Sequence, residues 1–180
     1  MEVGESVVRG DETDFREWAS SHRSTLRSTA FLISGDWHLA EDLAQDTLAR
    51  MFANWERTSS SGNPDAYARR VLVNLYLDHR RRPWRREQSR DVLPDTDGQL
   101  NDADGTREVL IAALREIPRG QRTTLVLRFW EDLSVEQTAA AMNTSSGNVK
   151  SQTSRGLVAL RAALDRRGMH ELLAMSEEMT

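Results

Sequence analysis

The sequence predicts an all-α protein made of two small helical domains joined by a flexible acidic linker. Apolar residues recur at helical spacing nearly everywhere outside residues 57–64 and 86–106, and no window alternates long enough to indicate a strand. Residues 86–106 hold five aspartates and few residues that could form a core. We therefore expect a first domain at 12–86, a linker at 87–106 and a second domain at 107–167.

The first two helices follow from apolar spacing and one capping residue. The first should cover about residues 13–34 and end at Gly35. Asp36 can then cap a second helix, which should run to a serine-rich break at 58–62. The buried stripe expected for this second helix consists of Leu39, Leu43, Leu48, Met51, Phe52 and Trp55.

The third helix carries arginines on one side. It should open with Asn63 as its N-cap and Pro64 at the first helical position, where the missing N–H costs nothing, and reach about Arg82. Arginines with a nearby tryptophan, Trp84, suit phosphate contact and base stacking, although a solvated helix face would look similar. The apolar side is expected to contain Tyr67, Ala68, Val71, Leu72 and Leu75.

Four helices are expected in the second domain. Ser134 and Gln137 form a capping box at the start of the third, and Ser145 or Ser146 can cap the fourth. The four helices are predicted at residues 107–117, 121–131, 135–142 and 146–166.

The last two of these helices predict a helix-turn-helix. Ala139 is small where the helices must cross closely, and Asn143 tolerates a left-handed turn. Val149 can pack between the two helices. Short polar side chains and an arginine near the start of the last helix suit reading of the major groove, although an ordinary helical hairpin would look the same. The buried stripe of this helix should contain Val149, Thr153, Gly156, Leu157, Leu160 and Leu164.

Charge is concentrated in two basic blocks separated by the acidic linker. The whole chain has a net charge of −4, yet residues 64–90 sum to +5 and residues 149–167 to +4, whereas residues 91–106 sum to −5. This layout is typical of a protein that contacts a polyanion at two places, and two solvated helix faces would give the same pattern.

Composition excludes several classes of function. The chain contains no cysteine, which excludes disulfides, zinc ribbons and thiol nucleophiles. Its four histidines are scattered, and no catalytic constellation is present, so we expect neither an enzyme nor a metal or cofactor site. No apolar run approaches the ~18 residues of a membrane span, which predicts a cytoplasmic protein without membrane insertion.

Three stretches resemble, in order, the conserved blocks of extracytoplasmic-function (ECF, group 4) RNA polymerase sigma factors, in particular the actinobacterial SigE-like group. They read AEDLAQDTLARMFANW, NPDAYARRVLVNLYLDHRRR and LREIPRGQRTTLVLRFWEDLSVEQTAAAMNTSSGNVKSQTSRGLVALRAAL. The match covers about residues 12–166. It implies a dissociable specificity subunit of bacterial RNA polymerase, with a region 2 helical bundle followed by a region 4 helix-turn-helix.

The resemblance also implies three sets of contact residues. The first domain would dock on core RNA polymerase, and would recognise and melt the minus-ten promoter element with the third helix and the loop before it. The last helix would read the minus-thirty-five element. The polymerase set is Asp42, Gln45 and Asp46; the minus-ten set is Arg69, Arg70, Asn74, Arg80, Arg81 and Arg82; the minus-thirty-five set is Ser146, Asn148, Lys150, Ser151, Ser154 and Arg155.

The resemblance also implies an inhibitory partner, because free sigma factors of this class are often held by an anti-sigma protein. Val73 and Leu77 fall on the basic side of the third helix, so they either contact such a partner or belong to a helix pair within the fold. The alternative function is a stand-alone helix-turn-helix DNA-binding regulator, which would leave the first 90 residues without a role. Asn143 stands where many relatives have glycine, and Ser146 where many have an apolar residue or proline.

Overall fold

The computed structural model describes residues 3–60, 62–79 and 105–169. All regular structure in these ranges is helical, which confirms the predicted all-α class. Most of the predicted linker, together with Arg80, Arg81 and Arg82, lies outside the described residues. The helices are α1 (Val3–Ser34), α2 (Trp37–Ala53), α3 (Trp55–Ser60), α4 (Pro64–His79), α5 (Thr106–Glu116), α6 (Arg119–Leu125), α7 (Val135–Ala141) and α8 (Ser146–Asp165), with a π-helical turn at Val126–Trp130 directly after α6.

Side chains cap the helices where the sequence predicted caps. Asp36 and Asn63 accept hydrogen bonds from backbone N–H groups two or three residues further on. Ser134 forms the full capping box with Gln137, and Ser145 rather than Ser146 caps α8. Each cap satisfies a backbone donor that the first helical turn leaves free, so these four helix starts follow from local chemistry alone.

Two helix boundaries differ from the prediction. The helix α1 begins at Val3, about ten residues earlier than expected. The serine-rich segment after α2 is not a loop but the short helix α3, after a break at Asn54. The hydroxyls of Thr58 and Ser59 donate to backbone carbonyls three or four residues earlier, which lets these residues continue a helix rather than compete with it.

Two residues predicted to be buried are exposed. Phe52 is 56% exposed and Leu157 is 44% exposed. Met51 near the end of α2 and Trp55 at the start of α3 already fill the core side here, so position 52 turns outward. On α8 the neighbouring helix packs against Gly156, which leaves the next position facing solvent.

The first domain packs α1, α2 and α4 around one apolar core, whose buried residues include Phe31, Leu43 and Leu72. An aromatic cluster extends this core towards α3, with Phe15 lying 5.3 Å from Trp55 and Trp18 lying 5.4 Å from Trp55, measured between ring centroids.

The second domain packs directly against the first, which the sequence did not predict. Ile111 and Val126 join the core of the first domain. A separate buried cluster joins α4 to the second domain through Val73, Leu127 and Leu133. The two predicted domains are therefore held together by a shared apolar interface as well as by the chain that connects them.

Candidate polymerase and nucleic-acid interfaces

The outer face of α2 displays the residues predicted to bind polymerase. Asp42, Gln45 and Asp46 are all exposed, whereas Leu43 and Ala44 between them are buried. This alternation follows from the helical period, which turns positions 42, 45 and 46 away from the core. The face is polar, carries two carboxylates and is not covered by any other element of the described chain.

Glu41, beside this face, is held by two arginines of α1. Arg23 donates to Glu41 Oε1 at 2.9 Å, and Arg27 Nε lies 3.5 Å from Glu41 Oε2. The hydrogen bond from Arg23, followed by one from Gln45, keeps the pKa of Glu41 below its ordinary value. These contacts tie the first turns of α2 to α1 and so orient the exposed face.

The exposed Phe52 lies on the same side of α2 as Gln45, seven residues and about two turns away. Its ring contacts Phe15, with 5.1 Å between the centroids. Sequence reasoning assigned Phe52 to the core because its spacing from Leu48 and Trp55 fits an apolar stripe. Only the packing of Met51 and Trp55 shows that Phe52 is left on the surface.

The segment 58–65, predicted to be a loop that contacts the minus-ten strand, has its ends in α3 and α4, and its α4 end is anchored to α1. Asp65 accepts a 2.8 Å hydrogen bond from Trp18 Nε1, and His22 Nε2 lies 3.3 Å from the same oxygen. The rings of Trp18 and His22 stack 4.7 Å apart. Ser61, within this segment, lies outside the described residues.

The α4 residues predicted to contact DNA lie in different environments. Arg70 is exposed and Asn74 is half-buried. Arg69, by contrast, forms a 2.7 Å ion pair through Nε with Glu131 of the second domain.

The structure also shows where Val73 and Leu77 lie. Val73 is completely buried, and Leu77 packs against the same cluster of second-domain side chains. Of the two explanations that the sequence left open for this pair, packing within the fold is the one the structure shows. In this arrangement of the chain Val73 is closed to another protein, and Leu77 is half-buried.

The helix-turn-helix forms at α7 and α8. Asn143 adopts φ = 50°, the left-handed conformation that the turn requires. Ala139 and Val149 are buried at the crossing of the helices. A Cβ atom at Gly156 would lie only 3.1 Å from Leu125 Cγ, so this glycine lets α8 pass closely over α6.

The predicted reading face of α8 is open to solvent. Four of its six residues are exposed and two are half-buried. Asn148 Nδ2 donates to Thr144 Oγ1 at 2.9 Å, which orients the amide at the start of the helix. The exposed residues are Asn148, Lys150, Ser154 and Arg155, and the half-buried ones are Ser146 and Ser151.

The described ranges contain no group of His, Asp or Glu side chains placed to hold a metal ion. None of the helices searched in those ranges is both long and apolar enough to cross a membrane.

Comparison with known proteins identifies the family. Residues 18–86 match the sequence profile of Sigma-70 region 2, and residues 107–160 match that of Sigma-70, region 4. The RNA polymerase sigma-E factor of Streptomyces antibioticus is 34% identical over 175 residues, which cover 96% of each chain. The chain belongs to the ECF sigma factors.

Other relatives agree with this assignment. The ECF RNA polymerase sigma factor SigE of Mycolicibacterium smegmatis is 29% identical over 165 residues, covering 84% of this chain and 63% of that protein. Among solved structures, the sigma factor RpoE in complex with the anti-sigma factor NepR from Bartonella quintana is 26% identical. It superposes with a TM-score of 0.70 and covers 84% of this chain and 97% of that one.

As an ECF sigma factor, this protein directs promoter-specific transcription by RNA polymerase. The alternative of a stand-alone DNA-binding regulator is not favoured, because the relatives match both domains and not only the helix-turn-helix. Sigma factors are initiation factors that act with the polymerase, which carries out the chemistry.

Proposed function

We propose that the first domain docks on core RNA polymerase through Asp42, Gln45 and Asp46. Their exposure on one uncovered face of α2 supports this assignment. The partner surface should be basic or rich in hydrogen-bond donors, since the face presents carboxylate and amide groups. Such charge complementarity favours rapid and specific association.

The same domain recognises and melts the minus-ten element. Arg70 and Asn74 of α4, with Arg69 once it is released from Glu131, supply cationic and amide contacts to the displaced strand. Arg80, Arg81 and Arg82 follow α4 directly in the sequence and extend the positive charge. The segment 58–65, whose ends lie in α3 and α4, precedes these groups in the chain and would hold an extruded base.

The second domain reads the minus-thirty-five element with the start of α8. Small polar side chains and Arg155 can approach base edges in the major groove, while Lys150 on the flank suits a phosphate contact. The contacting residues are Ser146, Asn148, Lys150, Ser151, Ser154 and Arg155.

One observation carries this proposal: a single chain presents an uncovered carboxylate face on α2 and an uncovered helix-turn-helix face on α8. The direct test is run-off transcription with purified core polymerase on pooled genomic fragments, followed by mapping of the RNA starts. We expect discrete new transcripts that share two upstream motifs. DNA binding without any new transcript would contradict the proposal.

The docking residues are tested separately with Asp46→Ala. We expect this variant to lose at least tenfold in affinity for core polymerase while keeping its helical content. Asp14→Ala is the matched control, because Asp14 is an exposed aspartate on the neighbouring helix α1. Equal polymerase affinity of both variants would exclude Asp46 from the docking surface.

We further propose that the protein works in the cytoplasm, without catalysis of its own, and that an anti-sigma protein restrains it. The last point is supported by the solved sigma factor RpoE, which was crystallised with its anti-sigma factor NepR. Pull-down of this chain from its own cells, with identification of the co-purified protein, tests the partnership.

A further inference from the structure

Glu41 holds the side-chain amide of Gln45, one of the three residues proposed to dock on polymerase. Gln45 Nε2 donates a 3.1 Å hydrogen bond to Glu41 Oε1, about one helical turn earlier on α2. Glutamine and acidic side chains at this spacing interact on a helix surface, but each such pair is weak by itself. The contact can fix the orientation of Gln45 only if Glu41 is itself held in place.

Two arginines of α1 hold Glu41, and one of them rests on the aromatic core. Arg23 Nη2 donates to Glu41 Oε1 at 2.9 Å, and Arg27 Nε lies 3.5 Å from Oε2, so each carboxylate oxygen faces a guanidinium group. The Arg27 guanidinium lies 4.9 Å from the centroid of the Trp37 ring, and that ring stacks on Phe31 at 3.9 Å. Phe31 is buried in the core of the first domain. The carboxylate of Glu41 is therefore fixed from the core outwards.

This carboxylate decides which way the amide of Gln45 points. The hydrogen bond from Arg23, followed by that from Gln45, keeps the pKa of Glu41 below its ordinary value, so Glu41 is ionised at neutral pH. An ionised carboxylate only accepts hydrogen bonds, and a reversed amide would place its carbonyl oxygen against that negative charge. The nitrogen of Gln45 therefore faces Glu41, and the carbonyl oxygen Oε1 is the free end of an exposed side chain. Among the described residues, no donor bonds to this oxygen.

The consequence is a row of hydrogen-bond acceptors on the outer face of α2. A glutamine side chain offers both donors and an acceptor, so it could meet either kind of partner group. With the nitrogen of Gln45 engaged by Glu41, the acceptor is turned outwards beside the exposed carboxylates of Asp42 and Asp46. Side chains three and four positions apart on a helix are neighbours, and one guanidinium group has enough donors in its planar fork to reach two such acceptors.

We propose that Glu41 is a positioning residue for polymerase docking, which turns the acceptor of Gln45 towards the partner and so selects a cationic donor, of arginine or lysine type, opposite position 45. The negative charge of Glu41 is already matched by Arg23 and Arg27, so Glu41 acts through Gln45 rather than by its own contact with polymerase. This inference rests on the proposed function, because the docking role of Gln45 is taken from there.

Glu41→Gln in the full-length chain tests the positioning role. The new side chain has nearly the same shape, but it loses the charge that holds the two arginines and leaves the amide of Gln45 free to reverse. We expect the affinity for purified core RNA polymerase, measured by equilibrium titration, to fall about fivefold, as for the loss of one hydrogen bond. An unchanged affinity would overturn the inference.

Glu116→Gln is the matched control. Glu116 is likewise held by two arginines, Arg166 and Arg167, but it lies on α5 in the second domain. We expect its polymerase affinity to stay within about twofold of the wild type, because distant residues that share no partner act independently. An equal loss in both variants would show a general effect of removing a paired carboxylate, and would refute the specific role of Glu41.

A double-mutant cycle with Gln45→Glu distinguishes positioning from a merely structural role. A carboxylate at position 45 accepts hydrogen bonds through both of its oxygens, so it has no orientation for Glu41 to select. We expect Gln45→Glu alone to keep its affinity, and Glu41→Gln to change affinity by less than about twofold when it is added to that variant. If Glu41→Gln weakened binding about fivefold in both backgrounds, Glu41 would act through the fold and not through the amide of Gln45.

Gln45→Lys tests the partner group expected opposite position 45. It replaces the outward acceptor by a cationic donor, and like charges that face each other across an interface are costly. We expect the affinity to fall more than about tenfold. Equal affinities for Gln45→Lys and Gln45→Glu would refute a cationic donor at this point of the partner surface.

Asp46→Ala separates this inference from the proposed function. If neither Asp46→Ala nor Glu41→Gln lowers the affinity for core polymerase, the proposed docking face itself is wrong. If Asp46→Ala lowers the affinity and Glu41→Gln does not, docking through α2 stands and only the positioning role of Glu41 fails.

Discussion

Arg122 and Tyr76 form a buried hydrogen bond between the two domains, with 3.0 Å from the guanidinium Nη2 to the phenolic oxygen. The two residues are 46 positions apart in the sequence and are 5% and 1% exposed. Arg122 also donates to the backbone carbonyl of Leu114, so it links α5, α6 and α4. A cation buried at this position depends on its acceptors, because water cannot replace them.

Removal of the Tyr76 hydroxyl should weaken the packing of the domains. We expect Tyr76→Phe to lower the free energy of unfolding by ~1–3 kcal/mol, since a buried charged donor loses an acceptor. Urea denaturation followed by circular dichroism measures this loss. Tyr67→Phe is the control on the same helix, where the ring is half-buried. A loss of equal size in both variants would contradict the specific role of the Arg122 contact.

The close crossing of α8 over α6 makes Gly156 sensitive to any side chain. An alanine Cβ would meet Leu125 Cγ at 3.1 Å and Gln121 Cβ at 3.3 Å, and neither atom can withdraw easily from a packed helix. Gly147→Ala, in the same helix, would place its Cβ no closer than 4.0 Å to any neighbour. We expect Gly156→Ala to be less stable than Gly147→Ala by roughly 1–3 kcal/mol, because overpacking forces the helices apart. Thermal unfolding of both variants measures the difference, and equal melting temperatures would argue against a tight crossing.

The ion pairs of Glu116 predict a pH dependence of stability. Hydrogen bonds from Arg167 and then from Arg166, whose Nη2 lies 2.6 Å away, lower the pKa of Glu116 to about 2 from an ordinary 4.5. Because the pKa is lower in the folded state, the stabilisation is fully present above pH 4.5 and disappears as the pH falls towards 2.

Glu116→Gln tests this pH dependence. The urea midpoint of the variant should lie below that of the wild type at pH 7, and the two should converge between pH 4.5 and 2. Glu136→Gln should show no such convergence, since Glu136 is exposed and no arginine contact is described for it. A gap between wild type and Glu116→Gln that persists at pH 2 would refute the assignment.

Arg155 and Lys150 should affect DNA binding in different ways. Arg155→Ala is expected to cost ~1–3 kcal/mol of binding free energy and to relax specificity at one position of the minus-thirty-five element, as for a base contact. Lys150→Ala should weaken binding to all sequences about equally and reduce the salt dependence. Fluorescence anisotropy with a set of single-base variants of the mapped promoter distinguishes these results. A uniform loss for Arg155→Ala would reassign it to a phosphate contact.

The features that the sequence determined are local. The caps at Asp36, Asn63 and Ser134 and the left-handed turn at Asn143 involve residues within a few positions of one another, so the residue types suffice to predict them. The exposure of Asp42, Gln45 and Asp46 also followed from the helical period.

The tertiary structure alone decided how helices that are far apart in the sequence pack against one another. Nothing in the sequence indicated that Arg69 would pair with Glu131, 62 residues away, or that Val73 would be buried by Leu127 and Leu133. Helical periodicity shows which residues share a face, but it does not show which other face covers them. That choice depends on the summed packing of both domains, and here it pairs a predicted DNA contact, the half-buried Arg69, with a carboxylate of the second domain.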